Sequence, residues 1–126
     1  MNQFEFPDAA TGRSLLQKLG KEEVQFELFG QDWEYILADE VLLPEYIRLY
    51  ESNETTDQEK RVLGCFIIQS IENKLPDKIS AEKARSHLRL LCKDRHIHQS
   101  EIEYWSVVEE NDEEHMFQVT KYIREL

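Results

Sequence analysis

The chain has little of what marks a special environment. Of its 126 residues only two are cysteine, three proline and four glycine. No apolar run approaches the roughly 20 residues needed to cross a bilayer. The first residues, MNQFEFPDAA, carry neither the charged nor the apolar region of a secretory signal, so the expectation is a cytoplasmic protein with no membrane contact. Cys65 lies among apolar neighbours in LGCFIIQS, and Cys92 follows Leu90 and Leu91. Both therefore read as small buried thiols, and a structural disulfide is not expected. With no internal repeat, no low-complexity tract and no Pro, Gly or Ser-rich linker, residues 1–126 read as one domain.

Positive charge is also scarce. Against 26 acidic residues stand 15 basic ones, a formal charge of −11. Such a balance repels nucleic acid and anionic membrane and favours encounter with basic proteins, although it also serves simply to keep a protein in solution. What is plentiful is core material. An apolar share of 40%, with 10% aromatic, is enough to bury one core without disulfides or a cofactor.

Periodicity divides the chain into alternating element types. Asp8 to Gly20 reads as a first helix, with Leu15, Leu16 and Leu19 on one face and Gly20 as a left-handed stop. Val24, Phe26 and Leu28 alternate with polar residues, Gly30-Gln31-Asp32 reads as a turn, and Trp33, Tyr35 and Leu37 alternate again. This predicts a β-hairpin over about 24–37, with helix as the alternative. Pro44 suits a helix start, followed by Tyr46, Ile47, Leu49 and Tyr50 on one side. Thr56 and Glu59 match a capping box, and Val62, Leu63, Phe66, Ile67, Ile71 and Leu75 then line a long central helix that ends before Pro76. Gly64 within it predicts a close approach by another part of the chain.

A further helix is expected from Ser80 to about Asp94, burying Ala81, Ala84, Leu88, Leu91 and Cys92, with Arg85, Arg89 and Lys93 as a basic ridge. Ile102, Tyr104, Ser106 and Val108 alternate with Glu103, Trp105 and Val107, which predicts a strand over about 102–108 paired with the hairpin. Asn111 and Glu114 can cap a last helix with Met116, Val119, Ile123 and Leu126 inside. The expected fold class is α+β, a mainly helical single domain with a small antiparallel sheet.

Two acidic clusters are the candidate partner-binding residues. In Glu109-Glu110-Asn111-Asp112-Glu113-Glu114, five of six residues are acidic. Structure alone can account for it, since acids near a helix N-terminus gain about 0.3–1 kcal/mol each from the helix dipole and loops are commonly charged, and this is the reading preferred. Five like charges exceed what a cap requires, and their mutual repulsion is relieved by a basic surface. The spacing lacks the calcium-loop pattern. The second cluster joins acids to aromatics: Asp32, Trp33, Glu34 and Tyr35, with Asp39 and Glu40 beyond. Trp and Tyr anchor interfaces and acids steer basic partners, while core packing is the reading preferred for Trp33 and Tyr35 themselves.

From Lys78 to Arg95 there are six basic and two acidic residues, a local +4 that leaves −15 on the remainder of the chain. Pairing with acidic neighbours inside the fold is the reading preferred for this helix, since no phosphate cradle or aromatic RNA motif accompanies it. Cys92, His96 and His98 are near enough in sequence to raise a zinc site, but the set is incomplete and no CxxC or HExxH is present, so no metal or other cofactor is expected. No nucleophile and base stand at a recognisable spacing among His87, His96, His98 and His115, and the chain reads as a non-enzyme.

The stretches DWEYILADE, EKRVLGCFIIQSIENKL and EYWSVVEENDEEH, in a short acidic chain, resemble the small bacterial immunity proteins. That resemblance implies an antidote that binds a cognate toxin, often a basic nuclease, in contact-dependent or secretion-delivered competition. It transfers no residue position by position. The alternatives from other classes are an accessory or regulatory subunit of a non-toxin complex and a small metal-dependent enzyme.

Overall fold

The structure is a computed structural model that describes residues 9–20, 39–106 and 117–125. Among these residues the chain forms α1 (Ala9–Lys18), a 3-10 turn (Glu40–Leu42), α2 (Leu43–Tyr50), α3 (Asp57–Lys74), α4 (Ala81–Cys92), α5 (Arg95–Ser106) and a single turn, α6 (Thr120–Ile123). No strand occurs among them. The expected α+β class is thereby corrected to a mainly helical one. The hairpin expected at 24–37 lies outside the described residues.

The local signals for α1 to α4 act as their chemistry dictates. Gly20 takes a φ of 72°, a conformation open to a residue without a Cβ, and ends α1 as its amide donates to the Gln17 carbonyl at 3.1 Å. Pro44 lies in the first turn of α2, where its missing N–H costs nothing. At the start of α3 the Glu59 amide donates to Thr56 Oγ1 at 3.1 Å, and the Thr56 amide donates to Glu59 Oε1 at 3.0 Å. Ser80 Oγ accepts from the Lys83 amide at 3.1 Å and caps α4.

Helix α3 is the axis of the domain, packing against α1, α2, α4 and α5. Its residues Arg61 to Ile68 are buried without a break. It cannot be an ordinary amphipathic helix, because neighbours surround that stretch. Tyr46 from α2 tilts against Phe66 with ring centroids 5.1 Å apart. Leu15 and Leu16 of α1 and Ala84, Leu88 and Leu91 of α4 close the remaining sides of the core. Glu59 also ties α1 to α3, accepting from Ser14 Oγ at 2.8 Å and Lys18 Nζ at 3.0 Å. Burial pushes the Glu59 carboxyl up, but the Thr56 amide, Lys18 and Ser14 more than offset this and hold it below its ordinary value.

The second half differs from expectation at three points. Helix α4 stops at Cys92 rather than Asp94, the chain turns through Lys93 and Asp94, and α5 begins at Arg95. Cys92 is half-buried rather than buried; Cys65 is buried, and neither is joined in a disulfide. The strand expected at 102–108 is, as far as residue 106, the second half of α5. The buried residues of α5 are Ile97, His98, Glu101, Ile102, Trp105 and Ser106, a helical stripe in which half the members are polar. Apolar alternation at 102–106 conceals that stripe.

The last described segment is fastened by side chains. Glu72 of α3 accepts from the Gln118 amide at 3.1 Å and the Val119 amide at 2.8 Å. Thr120 Oγ1 donates to the Trp105 carbonyl and Arg124 Nε to the Ser106 carbonyl, each at 2.8 Å. Val119 and Ile123 are buried as expected, but the helix there spans only Thr120–Ile123. Asn111, Glu114, Met116 and Leu126 lie outside the described residues.

Candidate functional site

Polar side chains gather in two places, one inside the helical core and one at its surface. Inside, α3 presents Arg61, Gly64 and Cys65 to α5. Arg61 and Glu101, exposed by only 4% and 2%, form an ion pair at 2.7 Å. Arg61 also donates to Cys65 Sγ at 3.0 Å. One turn along α5 from Glu101, His98 is fully buried, with its Nε2 2.6 Å from the hydroxyl of Tyr50.

That hydroxyl donates to Asp94 Oδ2 at 2.8 Å. Burial, reinforced by the Asp94 carboxylate, raises the Tyr50 pKa well above its ordinary value, so the phenol keeps its proton. Having given that proton to Asp94, the oxygen is left to accept, and the partner available is an N–H at His98 Nε2. His98 is accordingly the neutral tautomer protonated at Nε2. Its Nδ1 has no hydrogen-bond partner among the described residues.

Gly64 is what admits this imidazole. A Cβ placed on it would fall 2.5 Å from His98 Nδ1 and 2.6 Å from Cε1. The close approach expected at Gly64 is therefore made by a side chain. Burial, which opposes the charged form, pushes the His98 pKa down to about 4, against the pull of Asp94 and with help from Arg61. Lys60 completes the rim of this seam, 3.8 Å from Asp94 Oδ2 and over the Tyr50 ring.

Tyrosine, carboxylate and histidine in hydrogen-bonded sequence are the parts of a proton relay. Here Tyr50, exposed by 3%, and His98, by 0%, are closed off, while the Asp94 side chain, 27% exposed, lies at the rim beside Lys60. What the arrangement does chemically is satisfy buried polar groups and fix the register of α2, α3 and α5. Cys92 and His98, raised together as metal ligands, are not brought together: Cys92 Sγ lies near Arg95, while His98 points into the seam. No group of three or more His, Cys, Asp or Glu among the described residues could hold a metal.

At the surface, α2 and α4 diverge and leave a groove. Its larger hollow, about 700 Å³, has a floor of Leu43, Pro44, Ile47 and Ile79 and a rim of Lys74, Lys78, Lys83 and His87. A second hollow of about 410 Å³ shares Ile47, Ser86 and His87 with the first and adds Leu90, Arg89, Lys93 and Glu51. Burial, then Lys83 and Lys74, push His87 below its ordinary pKa, while Glu51 pulls the other way. The positive field at the groove is thus felt by a half-buried group inside it.

Of the residues singled out from sequence, Asp39 and Glu40 are described. Asp39 caps the 3-10 turn, its Oδ1 accepting from the Val41 amide at 3.1 Å, and its own amide donates to Tyr46 Oη at 2.9 Å. Glu40 lies 3.9 Å from Lys78, where the acidic stretch meets the rim of the groove. Val41, which follows them, is 77% exposed. Asp32, Trp33, Glu34, Tyr35, Glu109, Glu110, Asp112, Glu113 and Glu114 lie outside the described residues.

The basic ridge is divided by the fold. Arg85 makes a two-point contact with Glu125 at 2.8 and 3.2 Å, as internal pairing predicts, whereas Arg89 and Lys93 line the groove. The groove itself escaped sequence reasoning: its lysines were visible, but the apolar floor comes from another helix. Comparison with models of protein families, with curated proteins and with solved structures finds no match for this chain. No helix among the described residues is long and apolar enough to cross a membrane.

Proposed function

We propose that this chain is a protein-binding module, and specifically an immunity protein that neutralises a basic, nuclease-type toxin in the cytoplasm by direct binding. The observation that supports this best is the division of polar groups. Tyr50, Asp94 and His98 hold one another within the seam, and the surface around Asp39 to Val41 carries charge and apolar contact area. Asp39 and Glu40 immediately precede the exposed Val41, so an apolar contact has two carboxylates beside it that would attract a cationic target. The charge of −15 outside residues 78–95 acts at longer range, speeding encounter with a basic surface.

The experiment is charge reversal with kinetics. Asp39→Lys with Glu40→Lys, and separately Lys in place of Glu109, Glu110, Asp112, Glu113 and Glu114, should slow association with the toxin encoded beside this chain and abolish its dependence on salt. Association rates that stay unchanged in both variants would remove the acidic surface from the mechanism. Stoichiometric copurification with a housekeeping complex instead would favour the accessory-subunit reading.

A further inference from the structure

We infer that the groove between α2 and α4 is a second docking surface, one that takes an acidic amphipathic helix of a partner protein, with its apolar side chains on Leu43, Ile47 and Ile79 and its carboxylates against Lys74, Lys83 and Lys93. This is opposite in charge to the surface that meets a basic toxin, and it stands whether or not the immunity reading does.

Three observations carry it. The first is shape: the two hollows adjoin through Ile47, Ser86 and His87, and run alongside α4 from Ser80 to Lys93. At 1.5 Å per residue that edge is about 20 Å long, room for three to four turns of a docked helix. The second is the floor, where Ile47, Ile79 and Leu90 are only half-buried and no other described element covers them. An apolar floor favours a ligand with apolar side chains of its own.

The third observation is unbalanced charge. Among the described residues Lys74, Lys83 and Lys93 make no ion pair, and Lys78, whose side chain is 71% exposed, only approaches Glu40 at 3.9 Å. In a chain of net charge −11, cations left unpaired along one edge are complementary to carboxylates spaced along a helix. A small anion does not fit this pattern, since the lysines are spread over the whole edge and no buried donor converges on one point. Nucleic acid fits less well: the lining offers no Phe, Tyr or Trp ring for a base to stack on, and the rest of the chain repels a polyanion.

The test uses the full chain and a fluorescent helical peptide of about 18 residues, with Leu at i, i+3, i+4 and i+7 and Glu on the flanks. Its counterpart carries Lys in place of Glu. The inference predicts saturable binding of the Glu peptide alone, amide NMR shifts centred on Ile47, Ile79 and His87, and about tenfold or greater weakening in both K74E/K83E and K83E/K93E. K121E, outside the groove, should bind as the unaltered chain does. Circular dichroism of each variant separates lost binding from lost fold. No binding, equal binding by the reversed variants, or shifts elsewhere would overturn the inference. So would inorganic phosphate or a single-stranded oligonucleotide producing the same shifts at equal affinity, or self-association of the chain that occupies the groove.

Discussion

The seam between α3 and α5 and the groove between α2 and α4 both collect charged and titratable residues, yet they are built on opposite plans. In the seam each charge has a partner close at hand: Arg61 meets Glu101 at 2.7 Å, and Tyr50 joins Asp94 to His98. In the groove the lysines share a sign, and their nearest surroundings are apolar. Desolvation explains the contrast. A charge removed from water is tolerated when a partner replaces the water, whereas an exposed lysine has no such need and remains available. Paired groups in the seam tie the helices together, whereas the lysines of the groove are left to solvent.

The sharpest way to break the comparison is to take away a seam charge. Glu101→Ala takes from the Arg61 guanidinium, at a site only 4% exposed, the carboxylate 2.7 Å away and should cost about 3–5 kcal/mol in urea unfolding, whereas replacing both by apolar residues of similar volume should recover most of the loss. A loss below about 1 kcal/mol would place the pair among ordinary surface bridges.

Next in size is the pH response of His98. Its pKa is lower in the folded chain than in the unfolded one, so the unfolded state takes up the proton first. The stabilisation of the neutral imidazole is complete above about pH 6.5 and is lost as pH falls toward about 4, a change on the order of 3 kcal/mol. His98→Gln should flatten denaturation midpoints across that window, leaving the smaller slope due to His87, whose pKa is also depressed. An unaltered slope would contradict the depressed pKa of His98.

Smaller again is Gly64→Ala, which drives a methyl group against an imidazole clamped by Tyr50. A destabilisation of about 1–3 kcal/mol is expected, with helix propensity alone favouring alanine by about 1 kcal/mol in the other direction. In the background of His98→Ala the same substitution should become neutral or stabilising, measured as a double-mutant cycle.

How much of this was legible in the sequence follows the same division. Apolar faces and caps were readable because each is a local pattern: the Thr56-Glu59 box, Ser80 before α4, Gly20 after α1 and the Pro76 boundary all fall where side-chain chemistry places them. Helix α5 was not readable, because its buried stripe runs through His98, Glu101 and Ser106, and no apolar count registers a charge whose partner is Arg61 on another helix. Gly64 alone hinted at the seam. The groove was half-visible: Lys78, Lys83, Arg89 and Lys93 stood out as local positive charge, while the floor from Leu43, Pro44 and Ile47 exists only once α2 packs beside α4.

The most direct test of the central claim, that this chain acts by binding a basic protein through its acidic surface, is a pull-down from native lysate at low and high salt with the retained proteins identified by mass spectrometry. The account predicts one basic protein, encoded beside this chain, retained at low salt, weakened at high salt, and lost when the acidic clusters are reversed but kept when Lys74 and Lys83 are. Retention of no specific protein, or of a partner indifferent to both salt and charge reversal, would contradict it.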